Sequence, residues 1–512
     1  MLINSKSKLV FKTYTPNQTM LFPSNLEELI DQHHPVRIVN QVINQISIDP
    51  LIARFKGGGT SSYHPRMLLK ILVYAYLNNV FTSRKIEASI RENIHFMWLA
   101  GMNKPDHNTI NRFRSDRLKG VLQEVFGQIV ELLVDQGLIN LKEIYTDGTR
   151  IEANANRYSF VWGKSINHNK ERIRQQLKQL WQYTEKIAAE ELSDAEPIEF
   201  EKLDAQIVSQ TIEKIDKALG GRPVEEKISK KITYAKKHWP SLVTKYNEQQ
   251  KILTGRNSYS KTDHDATFMR MKEDHMGNGQ LKPAYNWQVS SSNQFIVNYS
   301  LHQDVSDTNT LKPHLEQYEE LYKILPDAIC ADGAYGSEEN YELIEGKGIK
   351  NFIKYNFFHK EQKDKWGQDP FKADNLFYNE SKDCLYCPMG QPMEKIDERD
   401  SVNNHGYHKR HSIYQAKNCH NCPMRGPCHK GKNNRIVEIN HKLRKYKQRV
   451  RENLLSEEGL RHRRKRPVDV EPIFGCIKHN KGYRRFLLRG LKKVEIEVGL
   501  LAIAHNLAKL SA

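Results

Sequence analysis

Asp147 and Asp332 each end a short apolar run and precede a glycine, in Tyr145-Thr146-Asp147-Gly148 and Cys330-Ala331-Asp332-Gly333. Strand-end carboxylates beside a glycine can crowd together at one sheet edge, although Asp-Gly after a strand is also an ordinary turn. A third acid, Glu471, follows the basic run Arg463-Arg464-Lys465-Arg466. Lys478 comes seven residues later, two helical turns, so the spacing predicts Glu471 and Lys478 on one helix face. Cutting a phosphodiester without a covalent enzyme intermediate calls for two divalent ions about 4 Å apart, held by acids from distant parts of a chain. Mg²⁺ prefers oxygen ligands and keeps several waters, so Asp147, Asp332 and Glu471 would suffice to hold such a pair.

A second group of residues could bind metal in another way. Of seven cysteines, five fall between Cys384 and Cys428. Cys384-x2-Cys387 and Cys419-x2-Cys422 let each pair reach one tetrahedral ion from a tight turn, and Cys428 follows six residues on. The spacing favours Cys384, Cys387, Cys419 and Cys422 around a structural zinc ion; the alternative is free thiols in a loop. Cys330 and Cys476 stand alone among apolar neighbours and suit core packing.

These residues must be positioned by a larger frame. Residues 1–140 read as helical. Ser24-x-x-Glu27 resembles a capping box, Gly57–Ser62 a flexible link, and the apolar run after Pro65 a buried helix. The stretch from Thr82 to Gly101 reads as one further helix. A link with Pro105 and Asp106 leads to a polar helix with Asn108, Asn111, Arg112, Arg114 and Arg117, the layout of a helix-turn-helix reader, or simply of a solvated surface. From Glu143 onward strands and helices alternate, with a hairpin read in Tyr285–Val289 and Phe295–Ser300. A helical hairpin at 165–257, with Ile173, Leu177, Leu180, Trp181 and Ile187 at helical spacing, and the cysteine-bearing segment at 357–440 interrupt the pattern. The C-terminal VEIEVGLLAIAHNLAKL reads as an amphipathic helix.

Composition bounds what this frame can serve. At 512 residues, with 38% hydrophobic and 27% charged residues, two to four folded domains are expected. No apolar run is long enough to span a bilayer and no secretory signal is read at the start, so the expectation is a cytoplasmic protein without a membrane partner. The net charge is +18, and its clustering between Lys442 and Arg466 suggests a polyanion partner.

Taken together in this order, four segments resemble the DDE transposases of bacterial insertion sequences, in the eleven-eighty-two group. They are PSNLEELIDQHHPVRIVNQVI, TDGTRIEANANRYSFVWGKS, ADGAYGSEENYE and VEPIFGCIKHNKGYRRFLLRGLKKVEIEVGLLAIAHNLAKL. The resemblance implies an RNase H-like mixed sheet with flanking helices, forming a catalytic domain over 141–512 behind a helical DNA-binding domain over 1–140. It implies Asp147, Asp332 and Glu471 as ligands of two Mg²⁺ or Mn²⁺ ions, with Lys478 beside them. It also implies Cys387, Cys419, Cys422 and Cys428 as the zinc set. The implied activity is strand cleavage and strand transfer on the terminal inverted repeats of the element and on target DNA, by a homodimer or larger assembly. Candidate DNA contacts are Arg112, Arg114, Arg463, Arg464, Arg466 and Lys478. The family's Tyr-Arg-Glu-Lys pattern is filled by Arg466, Glu471 and Lys478, while the Tyr place holds a basic residue, Arg463. Arg150, Asn154, Tyr335, Ser337 and Trp162 are further candidates near the acids. A rival expectation is a catalytically inactive or repurposed DNA-binding protein of the same fold.

Overall fold

A computed structural model describes residues 25–55, 62–188, 204–271, 279–363, 366, 369–403 and 405–511. The Ser24 cap and most of the glycine-rich link lie outside them. Asn25 instead caps a short 3₁₀ turn, accepting from the Glu27 amide at 3.0 Å.

The N-terminal helices are Pro35–Gln45, Pro65–Leu77, Ser83–Glu92, Ile94–Leu99, His107–Arg112 and Leu122–Asp135. The single helix read across Thr82–Gly101 is two. Asn93 takes extended backbone angles, ends the first helix and caps the second by accepting from the His95 amide, the competition with backbone pairing that a short amide side chain offers.

Strand β1 (Glu143–Glu152) opens the sheet. β2 (Phe160–Trp162) and β3 (Ser258–Ser260) pair across the base of the helical insertion. β4 (Thr267–Arg270), β5 (Leu281–Ser292), β6 (Phe295–His302), β7 (Ala328–Ala331) and β8 (Lys350–Asn351) follow. The main sheet runs β4-β5-β1-β7-β8, with β6 also on β5. β1 is antiparallel to β5 and parallel to β7, and β7 is parallel to β8. β1 thus lies in the middle, buried along most of its length. Ser290–Ser292, which fall between the two strands of the expected hairpin, belong to β5, and only Asn293 and Gln294 turn, both with positive φ. Polar side chains survive inside because they bond to each other: Thr146 to Ser290 at 2.8 Å, and Ser290 and Ser300 to the buried His314 at 2.8 and 2.6 Å.

The last helix, Leu491–Leu510, is buried on every side from Ile496 to Leu507 rather than along one stripe. It packs against Pro65–Leu77, Leu122–Asp135 and β6, so a single core joins the N-terminal helices to the sheet. An all-round apolar helix has to be central. Among the described residues, the 165–257 insertion has three helices where a hairpin was expected: Gly163–Ile187, Ala205–Leu219 and Glu226–Leu253. They enclose their own core of Ile173, Leu177, Trp181, Ile212, Trp239 and Val243. The cysteine insertion is a five-stranded antiparallel sheet, ordered β13-β12-β11-β10-β9, made of β9 (Phe377–Asn379), β10 (Cys384–Tyr386), β11 (Pro392–Val402), β12 (His408–Ala416) and β13 (Ile436–Ile439). Helix His441–Leu455 leads back to helix Glu457–Gly475, which lies on β1, β5 and β7.

Candidate active site

Strand register sets the first two acids side by side. β1 and β7 pair in parallel up to Thr146↔Ala331, strands about 4.8 Å apart, so Asp147, inside β1, and Asp332, the residue just past β7, follow side by side. Asp147 is 8% exposed. A Cβ on Gly148 would collide with the Gln288 amide and come within 2.9 Å of the Asp307 carboxylate, so those side chains would have to shift. Asp332 caps the 3₁₀ turn Gly333–Tyr335, accepting from the Ala334 amide at 2.9 Å.

The third acid arrives on a helix clamped by a neighbour. Asp469, 2% exposed, accepts from the Ser291 hydroxyl at 2.7 Å and from the Asn293 and Gln294 amides at 3.0 Å. Helix Glu457–Gly475 is thereby pinned to the β5–β6 turn, with Arg466 facing β1. The Arg466 guanidinium stands 3.6 Å from an Asp147 oxygen and 3.2 Å from a Glu471 oxygen. Since a guanidinium is about 2.3 Å across its terminal nitrogens, the Asp147 and Glu471 carboxylates lie within about 9 Å of each other. Glu471 itself is open to solvent, with 55% of its side chain exposed.

Lys478 does not continue that face. The α-helix ends at Gly475 and a π turn, Cys476–Asn480, follows. The wider turn breaks the seven-residue phase, and Lys478 is buried while Glu471 is exposed. Other basic residues divide similarly. Arg464 is exposed and lines an open hollow of about 510 Å³ with Arg461, Lys465 and Val468. Arg463 is half-buried, its guanidinium over the Phe358 ring at 4.9 Å. Arg112 is exposed on its short helix. Arg114 is a correction: at 3% exposure it donates to the Phe81 carbonyl at 2.7 Å and the Tyr76 hydroxyl at 3.3 Å, so it is a core cation and not a DNA-facing one.

The neighbours of the acids are mostly structural ties. Arg150 donates to the Arg270 and Val305 carbonyls, and Asn154 to the Leu487 carbonyl. Ser337 caps helix Glu338–Gly346. Tyr335 is fully buried and donates to Gln288. Trp162 packs edge-on with Phe160. Two residues near the acids gave little sign in the sequence. Lys354 stands among Asp332, Cys330 and Arg466, its ammonium pushed below the ordinary lysine range by burial and then by Arg466. Asp307 accepts from Asn286 at 2.7 Å and Gln288 at 3.0 Å, close to Gly148. Its only signal was an acid within a polar loop.

In the cysteine insertion, Cys387, Cys419, Cys422 and Cys428 line one cavity of about 20 Å³ with His429 and Arg435. Cys384 is buried in β10 and is not among the lining residues. The Arg435 amide donates to the Cys419 sulfur at 3.3 Å and its guanidinium to the Cys428 sulfur at 3.0 Å. Among the described residues, no three Cys, His, Asp or Glu side chains already converge closely enough to hold an ion; this applies to the cysteines and to the three acids alike.

A family model described as a transposase DDE domain matches residues 386–511, and one described as a transposase domain (DUF772) matches residues 24–116. The two matches support a DDE transposase of an insertion sequence. No curated protein and no solved structure matches it. The DDE match includes Glu471, the basic run and four of the clustered cysteines, while Asp147 and Asp332 lie between the two matched stretches. No described helix is long and apolar enough to cross a membrane.

Proposed function

We propose that this transposase, of the eleven-eighty-two group, cuts and joins DNA at the ends of its own insertion sequence, with Asp147, Asp332 and Glu471 as its catalytic acids on an RNase H-like sheet. The observation that carries this reading is the meeting of Asp147, inside β1, and Asp332, just past the end of β7, with a clamped helix bearing Arg466 and Glu471. The mixed sheet with the Asp147 strand at its centre supports the fold reading.

The donor set suits Mg²⁺ or Mn²⁺ in kind, being all carboxylate oxygen. Asp147 and Asp332 stand ready as neighbours, and Glu471 joins by turning its exposed side chain from Arg466. Two such ions, when bound, acidify the attacking hydroxyl and stabilise the leaving oxygen. The chain's own residues do the rest. Asp469 holds the helix in register, and Arg466 balances the acids until they are engaged. Arg464 and its neighbours hold the phosphate backbone. In cleavage, a water oxygen bonds to phosphorus and the 3′-oxygen leaves with a proton. In transfer, that 3′-hydroxyl bonds to a target phosphorus and the target's own 3′-oxygen leaves. A homodimer or larger assembly would bring two element ends together.

For the cysteine insertion we propose a structural zinc ion on Cys387, Cys419, Cys422 and Cys428. Their common cavity supports this set, and the two hydrogen bonds from Arg435 would settle thiolate charge. Native mass spectrometry should find one zinc per chain, and chelation should open these four thiols to alkylation ahead of Cys384. A zinc-free chain with all five thiols equally reactive would remove the site.

The catalytic reading is tested with Asp147→Asn, Asp332→Asn and Glu471→Gln. Each should lower Mg²⁺-dependent cutting of element-end DNA by a factor on the order of 10² or more, while leaving affinity for that DNA nearly unchanged, because no phosphate-binding cation is lost. Cutting at the parent rate by any of the three would exclude that residue. If the parent chain bound element ends but did not cut them, the inactive DNA-binding alternative would replace this reading.

A further inference from the structure

Helix Glu226–Leu253 of the insertion contains seven lysines and two glutamates. Its inner face, with Ile232, Ala235, Trp239 and Val243, is consumed by the insertion's own core. On the outer face Lys227, Lys230, Tyr234, Lys237, Ser241 and Lys245 recur at steps of three or four and are all exposed, a continuous helical stripe, and exposed Lys251 borders its far end. From Lys227 to Lys251 the stripe runs about 36 Å at 1.5 Å per residue. Within it, Lys230 is balanced by Glu226 at 2.6 Å, an exposed pair. Lys227, Lys237, Lys245 and Lys251 make no ion pair among the described residues. Tyr234 is 54% exposed, and its ring lies 4.6 Å from that of His238.

A face that only keeps a bundle soluble tends to mix both signs, as the helix opposite does: Ala205–Leu219 has two lysines and two acids. On helix Glu226–Leu253 seven lysines stand against the exposed Glu226 and Glu248, and the four stripe lysines that pair with no described acid repel one another, a self-repulsion left standing among the described residues. A rod of phosphate charge relieves it, and one turn of B-form DNA is about 34 Å long, close to the length of the stripe.

We infer that the outer face of helix Glu226–Leu253 is a second DNA-binding surface, separate from the candidate active site, which holds duplex DNA by its phosphate backbone over about one turn. The inference rests on the reading of the chain as a DNA-cutting enzyme, and it concerns grip and not cutting. Contacts of this kind carry no base information, so element-end and unrelated duplexes should be held alike by this face.

The test uses the full chain with Lys227, Lys237, Lys245 and Lys251 all changed to Gln, and a companion with all four changed to Arg. Equilibrium binding to an element-end duplex and to an unrelated duplex, each several turns long, is read by fluorescence anisotropy across a salt series without divalent metal. Four lost phosphate contacts should make the slope of log affinity against log salt shallower by about 3.6. Affinity for both duplexes should fall about tenfold or more at moderate salt. The Arg companion should keep the parent slope. A Gln variant with the parent slope would overturn the inference and leave the stripe to a protein partner or to solvent. An Arg companion as weak as the Gln variant would overturn it too, because charge would not be the cause. A parent chain that bound neither duplex would bring down both this inference and the transposase reading.

Discussion

Arg114 and Arg466 are both nearly closed to solvent, at 3% and 9% exposure, and each sits in a basic segment that ends in a π turn. Their surroundings differ. Arg114 is spent on fixed partners: the Phe81 carbonyl, the Tyr76 hydroxyl and the Asn111 side chain. Nearby lies Glu497, wholly buried in the last helix, which accepts from the Leu487 and Leu488 amides at 2.9 and 3.0 Å. Burial pushes the Glu497 carboxyl up, and Arg114 pulls it back. This network ties the N-terminal helices to the C-terminal one. Arg466 instead faces two carboxylates at an edge, and its Nε and one terminal nitrogen make no hydrogen bond. One arginine is mortar. The other is a counter-charge whose two acidic partners have another use.

The sharpest way to break this contrast is Arg114→Met. It would leave Glu497 without its cation, at a cost of about 3 kcal/mol, as for other uncompensated buried charges. The denaturant midpoint should drop accordingly, with no change in DNA affinity of the folded fraction. Unchanged stability with weakened DNA binding would return Arg114 to the surface role first read for it.

Arg466→Met should do the opposite. Cutting should fall by about 10², as when one oriented charged group is removed from an active site, with the melting temperature little altered in buffer. Because Arg466 and a divalent ion neutralise the same acids, the rise in melting temperature on adding Mg²⁺ should be larger in the variant than in the parent. An equal rise in both would mean that the two do not compete.

Acid sharpens the comparison from the other side, since the buried network is exposed to protonation of a different kind. Burial holds His314 at about 3, and His302 and His505 at about 4, all from an ordinary 6.5. Below pH 6.5 the unfolded chain takes up protons that the folded chain refuses. Stability should therefore be full above that pH and decline as pH falls towards 4, by about 1.4 kcal/mol per unit for each histidine. Urea midpoints at pH 7 and 5 measure this; equal midpoints would show that these histidines become charged without unfolding. The smallest effect belongs to the exposed Arg464. Arg464→Ala should make the salt dependence of DNA affinity shallower by about one contact's worth, a slope change of about 0.9, and should not affect folding. A loss of stability there would place Arg464 with Arg114.

Much of this was written in local sequence. The end of β7 before Asp332 follows from a short apolar run closed by Asp-Gly, and the buried Pro65–Leu77 helix from an unbroken apolar run, because period and composition act within a few residues. Asp147-Gly148 has the same look, yet β1 runs on through it to Glu152 because β5 pairs with it over that length. The resemblance in order of four segments pointed to the family that the two matches support. The strands of the cysteine insertion were not legible: β11 reads PMEKIDERDSV, mostly exposed polar residues, held in place by pairing with β12 and not by a buried face of its own.

What the tertiary structure alone decided is which of several like residues does what. Asp469 and Glu471 are acids two positions apart, yet the β5–β6 turn takes one as an anchor and leaves the other open. Spacing favours Cys384 over Cys428, but the fold buries Cys384 in a strand and sets Cys428 at the cavity. Arg114 and Arg464 carry the same charge, and only packing turns one inward. Spacing along a chain fixes faces within one helix or strand, whereas burial and charge pairing depend on which distant segment packs there, and in this chain partners such as Asn293 and Asp469 are more than a hundred residues apart in sequence.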